Sequence, residues 1–212
     1  MENSTCGNIK SKLLEYYPSF TEKFGDNIVE FATSIIKGDS ESIKKNAYIN
    51  NIKYTINNTN INNIKPTEKT IDIEKTLGQL LANPINIENC FKYNIIIEDN
   101  KRIITIGNYI IDGHGLWAKM FILNPYLQTE IINFDNSNII RELNDIRINM
   151  LKSNNQKNNI LDINQNVNIY NYILNNIRQD VINVFSKYKK INTKEEIANY
   201  IMNNIILLQN YI

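Results

Sequence analysis

The stretch "YNIIIEDNKRIITIGNYIIDGHGLWAKMFILNP", residues 93–125, constrains the fold more than any other part of the chain. Two runs rich in β-branched residues flank Asp99-Asn100 and predict a hairpin. Gly107-Asn108 predicts a second turn, before a short strand at Tyr109–Ile111. From Gly115 the apolar spacing becomes helical as far as Leu123, and Asn124-Pro125 stops it. The hydrophobic period therefore changes from that of a strand to that of a helix across "DGHG", and "TEIINF" at 129–134 supplies a further strand. A tight strand-to-helix turn between β elements predicts an α+β domain with a mixed sheet.

Such a turn aims the first backbone N–H groups of its helix at whatever lies above the strand ends, where the helix dipole favours an anion. Gly113 and Gly115 lack a Cβ and allow close approach. His114, the only histidine of the chain, is expected to project from the turn as a proton carrier or phosphate ligand. Asp112 could orient it or hold a divalent cation. The plainer alternative is that Asp112 caps the helix, the glycines allow the bend, Trp117 fills the core and His114 is merely exposed.

Elsewhere the pattern is mostly helical. Phe24, Ile28, Phe31 and Ile35 predict a helix ended by Gly38, and a second helix is expected from Ser40 to Ile49. "IKYTINNTNINNI", 52–64, alternates as one or two strands broken near "NNTN" and ended by Pro66. Ile73, Leu77, Leu80 and Leu81 mark a helix from Asp72 to Asn83-Pro84, after which the hairpin is expected. Ile139 to Met150 form another amphipathic pattern, and 153–168 reads as a linker. Two final helices are predicted, 169–189 and 194–211, the second opened by a Thr193/Glu196 capping box. The apolar face Ile197, Ile201, Ile205 and Leu208 could dock on the core, pair with the preceding helix, or form a homodimer. The organisation expected is an N-terminal helical segment (1–51), a central domain (52–152), and a linker with a C-terminal helical hairpin (153–212).

Composition narrows the partners. With 212 residues, 42% hydrophobic and a formal charge of +1, the chain is neither disordered nor globally attracted to nucleic acid. Cys6 and Cys90 have no metal-like spacing, so a zinc site or disulfide framework is not expected and a reducing, intracellular setting fits. No apolar run approaches the roughly 20 residues of a membrane span. No secretory core follows the first Met, and Glu2 stands where myristoylation requires glycine, so neither export nor a lipid anchor is expected. Lys44, Lys45, Lys53, Lys65 and Lys69, and again Lys187, Lys189 and Lys190, form basic clusters that would suit DNA, though such clusters more often are solvated faces.

Residues 107–144, "GNYIIDGHGLWAKMFILNPYLQTEIINFDNSNIIRELN", resemble the ParB/sulfiredoxin superfamily, in particular phage and viral ParB-like proteins with a strand followed by "DGHHRWA". "IKPTEKTIDIEKTLGQLL", 64–81, resembles that family's earlier box, where Pro and a polar residue lead into a helix carrying an acidic-basic pair, here Glu74-Lys75. The likeness covers about residues 52–152. It implies a ParB/sulfiredoxin-like core with added helices at both ends and a turn that holds the phosphates of ATP or CTP, with Mg²⁺. The implied activities are NTP hydrolysis, phosphoryl transfer or phosphodiester cleavage linked to DNA, in a phage or viral protein of the host-cell cytoplasm or virion.

On that reading His114, Glu68 and Glu74 are the catalytic candidates. Asp112, Gly113, His114, Gly115 and Lys119 are the nucleotide-binding ones, and Asp112 is the metal ligand. Lys65 and Lys69 are further candidate cations. Two positions depart from the pattern: Gly115 replaces a histidine and Leu116 an arginine, and leucine cannot grip a phosphate. The alternative is thus a degenerate, non-catalytic module that binds DNA or protein. Sulfiredoxin's cysteine would fall at His114, which excludes its chemistry. "DGHG" also occurs in metal-dependent protein phosphatases, but no second Asp-Gly exists here. Acyltransferases with "HxxxDG" place histidine on the other side.

Overall fold

A computed structural model of the chain describes residues 11, 13–15, 17–19, 21–22, 26–37, 39–67, 71–94, 102–134 and 166–210. Its elements are α1 (Asp26–Lys37), α2 (Ser40–Ile49), β1 (Tyr54–Asn60), a 3-10 turn (Ile61–Asn63), β2 (Lys65–Pro66), α3 (Ile73–Ala82) and α4 (Pro84–Tyr93). There follow β3 (Ile103–Ile106), β4 (Tyr109–Asp112), α5 (His114–Leu123), β5 (Gln128–Phe134), α6 (Asn166–Asn176), α7 (Gln179–Lys189) and α8 (Lys194–Gln209).

The five strands form one mixed sheet in the order β1-β5-β3-β4-β2. β1 runs antiparallel to β5, β5 parallel to β3, β3 antiparallel to β4, and β4 parallel to β2. Alternation along the strands divides two cores. Ile104, Ile106, Ile111, Ile132 and Phe134 face α1 and α2, where Phe31 meets Phe134 edge-on at 5.8 Å. Ile103, Ile110 and Ile131 face a larger core shared by α3 to α8. Both flanking helical regions therefore share a hydrophobic core with the central sheet.

α5 lies inside this larger core. Nine of its ten residues are buried, so it has no polar stripe and packs with the sheet on one side and α8 on another. Its last carbonyls, which no helical N–H can reach, are met by α8: Tyr200 Oη donates to Leu123 O at 2.5 Å and Asn204 Nδ2 to Ile122 O at 2.8 Å. The Thr193/Glu196 capping box is present. Ile197, Ile201, Ile205 and Leu208 are fully buried in the chain's own core, so of the three uses open to this face it is docking on the core that the chain makes, and the face is not left for a homodimer.

Several expectations need correction. "NNTN" does not break the strand, because β1 pairs with β5 without interruption from Tyr54–Phe134 to Asn60–Gln128. Pro66 is the last residue of β2, so the region ends at it as expected, with the proline inside the strand. An edge strand tolerates the missing N–H. Asn83-Pro84 ends α3 but also starts α4, with Asn83 Oδ1 accepting from Asn86 N–H and Pro84 in the first turn, the one place a helix accommodates proline. The single helix expected over 169–189 is two, α6 and α7, and α6 begins at Asn166, inside the expected linker. The first strand of the Asp99-Asn100 hairpin and the helix expected at 139–150 lie outside the described residues.

Candidate functional site

β4 ends at Asp112, and Gly113 then turns the chain into α5 with φ +91°, a left-handed conformation that only glycine adopts without strain. A Cβ on Gly113 would stand 3.0 Å from Ile103 Cα, so packing against β3 and the backbone angle both require glycine. The helix begins one residue earlier than its apolar pattern suggests, at His114.

His114 does not project from the turn. It is 6% exposed, and its Nε2 lies 3.2 Å from the backbone N of Thr67, whose N–H it accepts. Thr67 Oγ1 is also 3.2 Å from Nε2 and donates to Ile110 O at 2.6 Å. An Nε2 that accepts from an amide carries no proton, so this bond is made by the neutral ring. The imidazole thus joins the start of α5 to the segment after β2, and the Thr67 hydroxyl joins that segment to β4. Thr67 is the residue of this site that sequence reasoning did not single out. The available signal was its place as the polar residue after Pro66 in the earlier box.

Around this clamp the other candidates separate. Asp112 is half-buried at the end of β4, one residue before the N-cap of α5, which is Gly113 and has no side chain to offer the helix amides. Gly115 is exposed, and a Cβ there would meet nothing within 4 Å. Leu116 is buried at 8% exposure. Lys119 is buried at 4% and its Nζ donates to Gln79 Oε1 of α3 at 3.1 Å, the stem covered by the core and the charge carried to its edge. Gln79 is the second residue that sequence reasoning missed. Glu74 stands exposed in the first turn of α3, and Lys65 is exposed on β2. Glu68 and Lys69 lie outside the described residues. Among the described residues no three His, Cys, Asp or Glu side chains group closely enough to hold a metal ion, and no such group includes Asp112.

Trp117, fully buried, donates its Nε1–H to Ile61 O at 2.9 Å and ties α5 to the 3-10 turn after β1. This agrees with its expected place in the core. The C-terminal basic cluster is partly committed inside the chain. Lys187 pairs with Glu88 at 2.8 Å, and Lys189 sits over the rings of Phe91 at 4.8 Å and Tyr200 at 6.0 Å. The hydrogen bonds from Lys187 and Tyr188 lower the Glu88 pKa. Cys90, buried beneath this region, has its thiol pushed up to about 12 by desolvation. No helix among the described residues is long and apolar enough to cross a membrane.

Comparison with protein-family models, with curated proteins and with solved structures gives no match to this chain.

Proposed function

We propose that the β4–α5 turn binds the phosphate group of a nucleotide, and that it binds without catalysing. The observation that carries this reading is the N-terminus of α5. Its cap offers no side chain to the first helical amides, and Gly115, in the first turn, is exposed with open space where a Cβ would be. Backbone N–H groups and the helix dipole are the anion-binding equipment available there. Catalysis is left out because His114, the candidate acid/base, is buried and accepts from Thr67 N–H, which a proton carrier would have to release. With Leu116 in place of the resembled family's arginine, binding is expected to be weak. The nucleotide class, ATP or CTP with Mg²⁺, follows from the ParB-like resemblance.

The burial of Leu116 favours a second reading, a degenerate ParB-like interaction module with no nucleotide. Calorimetric titration of the full chain with ATP, CTP and ADP in the presence of Mg²⁺ separates the two. Millimolar or tighter binding, weakened in Gly115→Val, with no turnover in either protein, is the expected result. Absence of heat at millimolar nucleotide removes the phosphate site and leaves the interaction module. Turnover that disappears in His114→Ala without loss of fold overturns the non-catalytic assignment.

A further inference from the structure

The sheet has two edges, and they are built differently. β2 is two residues long and one of them is Pro66, which has no N–H to offer a neighbour. β1 is seven residues, Tyr54–Asn60, with no proline, glycine or charged side chain, and every residue from Tyr54 to Asn58 is exposed. Among the described residues no strand pairs with its outer side. An edge strand turns every second N–H and C=O outward, and proteins usually blunt such an edge with lysine, proline, a bulge or shortness. β2 has three of these devices, Lys65, Pro66 and its shortness; β1 has none.

Exposed apolar side chains adjoin the open edge. Tyr54 and Ile56, 45% and 50% exposed, stand opposite Phe134 and Ile132 and so lie on the α1–α2 side of the sheet. Tyr48 and Ile49, 88% and 59% exposed, end α2 a few residues before β1. A row of outward amides at strand spacing is matched by another strand, and among the described strands the one of matching chemistry is β1 itself.

We propose that β1 is the surface through which two copies of this chain associate, pairing antiparallel about a two-fold axis so that the two sheets become one. Pairing centred on Asn57 sets Thr55 opposite Thr59 of the partner subunit, Tyr54 opposite Asn60 of the partner subunit, and Ile56 opposite Asn58 of the partner subunit. Lys53 then faces Ile61 of the partner subunit, so no like charges meet across the ladder. A two-fold normal to the sheet keeps the α1–α2 layers on one side, and Tyr54 and Ile56 of both copies share that face. An interface of one strand and a few side chains lies at the small end of specific contacts, so a weak, reversible dimer is expected. The inference supplies a partner whether or not the β4–α5 turn holds a nucleotide. The titration above and the association test below fail independently.

The test is analytical ultracentrifugation of the full chain over a concentration series from low to high micromolar. The expected result is a shift from the 24.7 kDa monomer to twice that mass. Ile56→Lys and Ile56→Glu, at an exposed position and with circular dichroism confirming the fold, are each expected to stay monomeric. An equimolar mixture of the two is expected to recover the dimer through the opposite charges. A chain that is monomeric at every concentration overturns the proposal. So does a dimer untouched by both Ile56 variants, and a dimer lost instead in Leu207→Lys would place the interface on α8.

Discussion

If His114 is a clamp, its removal is read in stability. His114→Ala leaves the half-buried Thr67 N–H without its acceptor, which costs about 1–3 kcal/mol. Deleting a ring that is only 6% exposed leaves a cavity, which adds about 1–2 kcal/mol. The better helix propensity of alanine returns about 0.5 kcal/mol. A net loss of about 2–4 kcal/mol is expected, a large share of the 5–15 kcal/mol that holds a typical domain together. Urea unfolding followed by Trp117 fluorescence measures it, since Trp117 is the only tryptophan and is fully buried. The midpoint should fall while the slope stays constant, because the surface exposed on unfolding is nearly unchanged. His114→Gln, which keeps an acceptor oxygen, should recover part of the loss. A change below about 0.5 kcal/mol in His114→Ala is what an exposed histidine would give, and would refute the clamp.

The two glycines of the turn should respond in opposite directions. Gly113→Ala forces a positive φ and drives a Cβ to 3.0 Å from backbone, and should lower the urea midpoint by the equivalent of about 1–3 kcal/mol. Gly115→Ala, with open space at that Cβ, should raise it by the equivalent of up to about 1 kcal/mol. Asn204→Leu removes a buried donor and orphans the Ile122 carbonyl, and a loss of about 1–3 kcal/mol is expected in the same assay. Cys90, buried and with its thiol at about 12, should react with a thiol reagent in a Cys6→Ser background only on unfolding; rapid labelling at neutral pH would contradict its burial. Glu88 and Glu196 both have depressed pKa values, Glu88 chiefly through Lys187 and Glu196 chiefly through the Asn192 and Thr193 amides. Their contribution is therefore present above the ordinary carboxylate pKa and is lost as pH falls through the depressed values. Thermal unfolding between pH 5 and pH 2 should show a shallower acid loss in the double variant Glu88→Gln/Glu196→Gln.

Local rules made much of the fold legible. α3, α5 and α8 follow from apolar spacing bounded by Asp72, Asn124-Pro125 and Thr193, all signals carried within a few residues. The failures share a cause, since each needed knowledge of a distant partner or of which of two local rules wins. β1 continues through "NNTN" because β5, more than sixty residues later, completes its hydrogen bonds. Asn83-Pro84 signals both a stop and a start, and the start could not be told from the stop without α4 in place. Of the three uses open to the apolar face of α8, docking on the core is the one the chain makes, whereas the exposed edge at β1 is a property of sheet order, which no local pattern encodes.

The same division runs through the candidate site. Its frame, Gly113 turning β4 into α5 and Trp117 anchoring the helix, was readable because glycine and tryptophan announce their constraints in their own chemistry. The role of His114 was not, because histidine is equally suited to exposed proton transfer and to buried hydrogen bonding. The imidazole of His114, at the first residue of α5, meets Thr67, a contact across 47 positions of sequence. That contact bears on what the turn can still do. With the imidazole committed to holding two segments together and Lys119 bonded to Gln79, the exposed part of the first turn of α5 is Gly115 and its backbone. Backbone amides bind an anion without moving its protons or distinguishing its base. On the proposed reading, a first turn that exposes only backbone would hold a phosphate and leave its chemistry to other groups.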